Sequence, residues 1–193
     1  MMQGKWKVAA IILAFALSVN SASAIAEEDF LDWLFDFHRT KGVQPVINKF
    51  YQDECGECHF AYQPGLLPEK SWDALLDAKA LRKHFGVSAE LDEDTLKIIR
   101  DYAVRNSADK SWYKRSRKIA VATEEGPAPL RITELRYISR KHQDIPEKMI
   151  KGNKGVKSLS FCDKCHTQAG QGIYDADTVN IPNYPNWDGW FNK

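Results

Sequence analysis

Cys55-Gly56-Glu57-Cys58-His59 and Cys162-Asp163-Lys164-Cys165-His166 decide how this chain is read. Both are C-x-x-C-H, the pattern by which a haem is attached covalently. The spacing has a physical reason. Two thiols on adjacent turns of a short helix can each form a thioether with a haem vinyl group. The next residue then places its imidazole under the iron as the proximal ligand. The two copies use all four cysteines and two of the five histidines. At this chain's own Cys and His frequencies, one copy arises by chance about 0.002 times. A zinc site, a thioredoxin-like redox pair and two structural disulfides compete with this reading. Paired C-x-x-C zinc ligands usually lie about 15–20 residues apart, whereas Cys58 and Cys162 are 104 positions apart. A thioredoxin-like pair needs a βαβ context, and no alternating strand pattern of useful length is present. Two covalently attached haem c groups are therefore expected, through Cys55, Cys58, Cys162 and Cys165, with His59 and His166 as proximal iron ligands.

The sixth ligands follow by elimination. The 27 residues after His166 contain neither His nor Met, so a distal ligand of either type for the second haem lies upstream. His38, His84, His142 and Met149 are the candidates. His84 follows the first motif at the end of an apolar helix. His142 precedes the second motif on an apolar helix face. These two are expected as the distal ligands, His84 for the first haem and His142 for the second, with crossed pairing left open. His38 and Met149 are the weaker candidates. Two His/His irons would be six-coordinate and low-spin. Without a Met ligand, which raises the potential, they would be low-potential haems.

Working outward, the N-terminus has the layout of an export signal. Lys5 and Lys7 precede an apolar stretch, Val8 to Val19, and Ala22-Ser23-Ala24 is a small-x-small cleavage site. The apolar stretch is short for a membrane span. Cleavage after Ala24 leaves 169 residues with 25 bases and 26 acids, in an oxidising extracytoplasmic compartment. No other apolar run is long enough to span a bilayer. That near-neutral total hides an asymmetry: residues 25–104 carry net −7, 105–157 net +8 and 158–193 net −2. The basic middle points to internal pairing or to a polar docking surface. Trp112 and Tyr113 within it would suit single-stranded nucleic acid, but an exported protein rarely meets any, and none is expected as a partner.

The coarse structure is helical. Apolar spacing predicts helices over 28–40, 46–51, 72–85 with Ser71 as N-cap and Gly86 as stop, a helix after Asp92, 133–142, and 158–166. Residues 107–129 read as a polar connecting loop, and the tail with Tyr184, Trp187 and Trp190 as irregular. Leu66, Leu67, Trp72, Leu75, Leu76 and Phe85 are expected around the first haem, Phe161 and Ile181 around the second.

The spacer residues carry a family resemblance. Glu54-Cys55-Gly56-Glu57-Cys58-His59, Tyr62, Pro64-Gly65-Leu66-Leu67-Pro68, Ser71-Trp72 and His84-Phe85-Gly86 resemble the bacterial dihaem cytochrome c family. So do Arg131-Ile132-Thr133, His142, Cys162 to Thr167 and Ile181-Pro182. The resemblance runs from about Phe50 to Pro182. It implies bis-histidine ligation of both haems, with His84 and His142 at the positions of the family's distal histidines, and electron transfer in the periplasm. It also implies redox partners: a small monohaem c-type cytochrome, and in some members a membrane cytochrome b. The basic stretch and the aromatic tail match nothing in it.

The expected architecture is all-α. A signal peptide (1–24) precedes a small helical, cytochrome c-like haem domain (25–106). A basic connecting loop (107–130) then leads to a mostly irregular or helical second haem region (131–193). The expected role is an electron carrier rather than an enzyme. The rivals are a dihaem enzyme of the peroxidase or thiosulfate-oxidising type, and a haem gas sensor, each needing one open iron position.

Overall fold

The computed structural model describes residues 42–185 and Trp187. The export signal, the helix over 28–40, His38 and Trp190 lie outside them. The described residues are helical, with no strand and two isolated β-bridges, His84 with Val87 and His166 with Val179. The α-helices are α1 (Lys49–Gly56), α2 (Glu69–Leu75), α3 (Ala78–Leu81), α4 (Glu93–Arg105), α5 (Lys114–Ala122), α6 (Arg136–His142) and α7 (Glu147–Ile150). Short 3₁₀ turns join them. Among the described residues no helix is long and apolar enough to cross a membrane.

The helix ends follow local chemistry where a cap is in the sequence. Asn48 accepts from the Tyr51 N–H at the start of α1. Asp92 accepts from the Thr95 N–H at the start of α4, as expected. Glu93 and Asp94 in the first turn and Arg105 in the last then complement the helix dipole.

The structure revises several sequence expectations. The helix expected over 72–85 is two helices. Asp77 caps α3 through the Lys79 and Ala80 N–H groups, which breaks the run. Ser71 is not an N-cap. It is fully buried inside α2, which starts after Pro68 and has its Glu69 N–H bonded to the Asp109 side chain. The stretch 107–130 is not a plain loop, because it contains α5. Ser116 and Ile119 of α5 are fully buried, which draws this polar segment into the core. The helix expected over 158–166 is only a 3₁₀ turn, Cys162–Lys164. Lys157 just before it has a left-handed φ of 68°, and Ser160 is tied down by the Tyr62 hydroxyl.

The main core gathers Tyr51 of α1, Trp72 and Leu75 of α2, Ile99 and Ala103 of α4, Ile119 of α5, and Leu135. Ile99 and Ile119 are wholly buried, each contributing about 2 kcal/mol relative to exposure. The Tyr51 hydroxyl donates to the Tyr62 carbonyl, and its ring lies 4.9 Å from Tyr102, which fixes α1 against α4. A smaller cluster joins Met149, Val156 and Ile181, with Tyr184 and Trp187 packed on it. Two of the three tail aromatics thus cover apolar side chains.

Part of the basic middle is paired within the molecule. Lys110 meets Glu69 at 2.8 Å, Arg115 meets Asp175 at 3.5 Å, and Arg117 donates to the Asp109 carbonyl. Of the two readings of that charge, internal pairing accounts for Lys110 and Arg115.

Candidate haem sites

At the first site, α1 ends in the first motif, with Cys55 half-buried and Cys58 exposed. Burial pushes the Cys55 thiol up to about 11. His59 follows, its Nδ1 2.8 Å from the Phe60 carbonyl. That bond makes Nδ1 the protonated nitrogen and leaves the Nε2 lone pair for a metal. His84 is delivered by a tight turn after α3. Its carbonyl accepts from the Val87 N–H, while Phe85 and Gly86 take left-handed φ values of 51° and 103°. The His59 and His84 rings face each other with centroids 6.3 Å apart and planes 25° apart.

At the second site the order along the chain is reversed. His142 is the last residue of α6, and its Nδ1 lies 2.8 Å from the Ile138 carbonyl one turn back. This bond makes Nδ1 the protonated nitrogen, so Nε2 carries the lone pair that a metal takes. His166 is set by its N–H bond to the Cys162 carbonyl and by the bridge to Val179. The His142 and His166 rings lie 6.0 Å apart with planes 71° apart. Burial is the main cause lowering both imidazole pKa values, His166 from 6.5 to about 4. Burial thus favours the neutral imidazole, the form in which histidine binds a metal. Burial likewise pushes the Cys162 thiol up to about 12. The pair opens on a cavity of about 250 Å³ that Cys162 and Cys165 line together with Ile138, Met149, Phe161 and Ile181.

The ring separations can be weighed against simple geometry. A metal–imidazole bond of about 2 Å on each side, plus about 1 Å from each nitrogen to its ring centre, sets opposed rings roughly 6 Å apart. Both pairs have that separation. None of the four cysteines is in a disulfide, which leaves all four for attachment of a haem.

A sequence model of the dihaem cytochrome c family matches residues 51–174. The chain belongs to that family. Solved structures agree with the assignment. The diheme cytochrome type c from Shewanella baltica OS155 is 38% identical, with 73% of this chain and 98% of that one covered and a TM-score of 0.59. A diheme cytochrome c from Rhodobacter sphaeroides is 38% identical, with 68% and 100% covered and a TM-score of 0.58. No curated protein matches the chain. Membership of the dihaem cytochromes c makes this a haem-based electron-transfer protein of the all-α class, with two covalently bound haem c groups.

The structure also places residues that the sequence reading did not. Leu66, expected at the first haem, lines the second cavity. Leu67, Trp72, Leu75 and Leu76 lie in the main core, and Phe85 is 45% exposed. Phe161 and Ile181 line the second cavity as expected. Between the two sites runs a polar link. The Tyr62 ring lies 5.0 Å from His59, and its hydroxyl donates to the Ser160 carbonyl, next to the second motif. The neighbouring Gln63 is buried. It donates to the Ala169 carbonyl and accepts from the Tyr174 hydroxyl at 2.6 Å, and the Tyr174 ring lies 5.1 Å from His166. These partners are 106 and 111 positions apart in the chain, so no local signal in the sequence announces them.

Proposed function

We propose that this dihaem cytochrome c is a periplasmic electron carrier with two closed, low-potential, bis-histidine haems. In this reading Cys55, Cys58 and His59 hold the first haem with His84 as distal ligand. Cys162, Cys165 and His166 hold the second with His142. The observation that carries the reading is the opposition of His59 to His84 and of His142 to His166 at the separation two iron–imidazole bonds require. Each bound haem supplies a one-electron Fe(III)/Fe(II) couple.

The chain's own residues do the rest. The carbonyls of Phe60 and Ile138 fix the tautomer and plane of one imidazole in each pair. Apolar walls exclude water from the second iron. Closing both axial positions leaves no place for peroxide or oxygen, which suits transfer rather than turnover. The halves 25–106 and 131–193 each hold one haem, joined by a segment that contains α5. Met149 serves as a wall of the second cavity, not as a ligand.

The natural partner class is a small monohaem c-type cytochrome, with a membrane cytochrome b as a further donor. Export by a signal cleaved after Ala24 places the chain in the periplasm.

Exposing the reduced protein to carbon monoxide tests the closed sites. Neither haem should bind it on mixing, and electron exchange with a monohaem c-type cytochrome should proceed. Rapid carbon monoxide binding by one haem, or peroxide turnover, would favour the enzyme or gas-sensor reading instead.

A further inference from the structure

The second cavity carries a cation. Arg115 lies near the start of α5 and lines the same cavity as Cys162, Cys165, His142 and His166. Its guanidinium donates to the Tyr137 hydroxyl and the Tyr174 carbonyl, both at 3.1 Å. It also lies 5.8 Å from the centre of the Tyr174 ring, which in turn packs on His166. A hydroxyl and a carbonyl hold a guanidinium in place without cancelling its charge. The carboxylate of Asp175 is 3.5 Å away, but its side chain is 40% exposed against 18% for Arg115. Nε is buried with no partner.

The first site has a different electrostatic setting. The cation nearest in character is Arg131, which stacks 3.9 Å over Phe85 beside His84. It pairs with Glu134 at 3.6 Å, and both side chains are well exposed, at 43% and 62%. Each arginine has a carboxylate within 4 Å, so the difference lies in exposure: water screens Arg131 more than the less exposed Arg115.

Reduction adds one electron and so lowers the positive charge at the iron by one unit. A fixed, poorly screened cation favours the reduced form more than a solvated one does. We propose that Arg115 holds the reduction potential of the second haem above that of the first, so that an electron delivered to either haem comes to rest on the second. This rests on the proposed placement of the second haem between His142 and His166. The sign holds whether or not a haem propionate shares the guanidinium, because glutamine would leave that carboxylate uncompensated.

The test is a redox titration of the intact dihaem protein. Each haem is followed by its own low-spin signal, identified as the one lost in His84→Ala or in His142→Ala. In the unsubstituted protein the second haem should be reduced first. Arg115→Gln should shift the electron distribution between the haems at least tenfold toward the first, about 59 mV for a one-electron couple. Arg115→Lys should retain most of the difference. Asp175→Asn, which removes the opposing carboxylate and keeps Arg115, should raise the second potential further. That variant tests the idea even if Arg115→Gln does not fold. The proposal is overturned if Arg115→Gln moves both potentials equally or neither, or if Asp175→Asn fails to raise the second. A high-spin signal from the unsubstituted protein would instead overturn the ligation reading on which it rests.

Discussion

Replacing His84 by alanine should convert one of the two haems to a high-spin form that binds carbon monoxide, and replacing His142 should do the same to the other. In each case the second haem should keep its low-spin spectrum. The thioethers hold the cofactor in place when an axial ligand is lost, so the expected result is an opened iron rather than a lost haem. The two substitutions are not equivalent. His84 sits on an exposed turn, where the removed ring is replaced by water. His142 faces the apolar cavity that Met149 also lines. If Met149 moved onto the iron in His142→Ala, that haem would stay low-spin but at a raised potential, and His142→Ala with Met149→Leu would then open it. Absorption spectra with and without carbon monoxide read all of this. Should both single variants remain closed at unchanged potential, the distal assignment is wrong.

The second large effect concerns Gly172. Gly172 has φ +74°, and a Cβ there would lie 1.9 Å from the Val43 carbonyl oxygen, which cannot move aside cheaply. The same approach carries the Val43 N–H to Gly172 carbonyl bond at 2.9 Å. Gly172→Ala therefore forces this junction apart and should cost about 3 kcal/mol or more, adding steric displacement to left-handed strain. Gly126 is the control. It has a similar φ of +85°, but nothing lies within 4 Å of its added Cβ, so Gly126→Ala should cost only about 1–2 kcal/mol. Denaturant unfolding of both variants separates close approach from backbone strain. Equal costs would show that the contact between Val43 and Gly172 is not tight in solution. Gly172 lies just before Tyr174, so Gly172→Ala should also perturb the spectrum of the second haem.

The parts of this molecule that were legible in the sequence are those that rest on short spacing or on counting. The two attachment motifs, the Asp92 cap and the four distal candidates needed no three-dimensional information. Asp77 is a readable cap too, but it stands inside an apolar run that continues past it. The start of α2 was hidden because its first-turn N–H is satisfied by Asp109, forty positions away. Helix α5 was hidden because its basic residues suggest solvent, while Ser116 and Ile119 face inward without enough apolar company to mark a face. The pairing of histidines could be expected but not fixed. Crossed pairing differs from the ring pairs seen here, His59 with His84 and His142 with His166, only in how the two halves fold, which is where the Tyr62, Gln63 and Tyr174 contacts act. Arg115 was visible only as one of a row of bases. Its partial burial in the second cavity is what distinguishes it from Lys118, which is exposed.

Electron paramagnetic resonance of the oxidised protein tests the central claim most directly, because it reads both the number of axial imidazoles and their mutual angle. Nearly parallel imidazole planes split the two iron d orbitals of π symmetry, whereas nearly perpendicular planes leave them close in energy. With planes 25° apart at His59 and His84 and 71° apart at His142 and His166, two low-spin signals of equal weight are expected. One should be rhombic with resolved g values, and the other dominated by a single large g value, with no high-spin component. A high-spin signal accounting for either haem would contradict two closed bis-histidine sites.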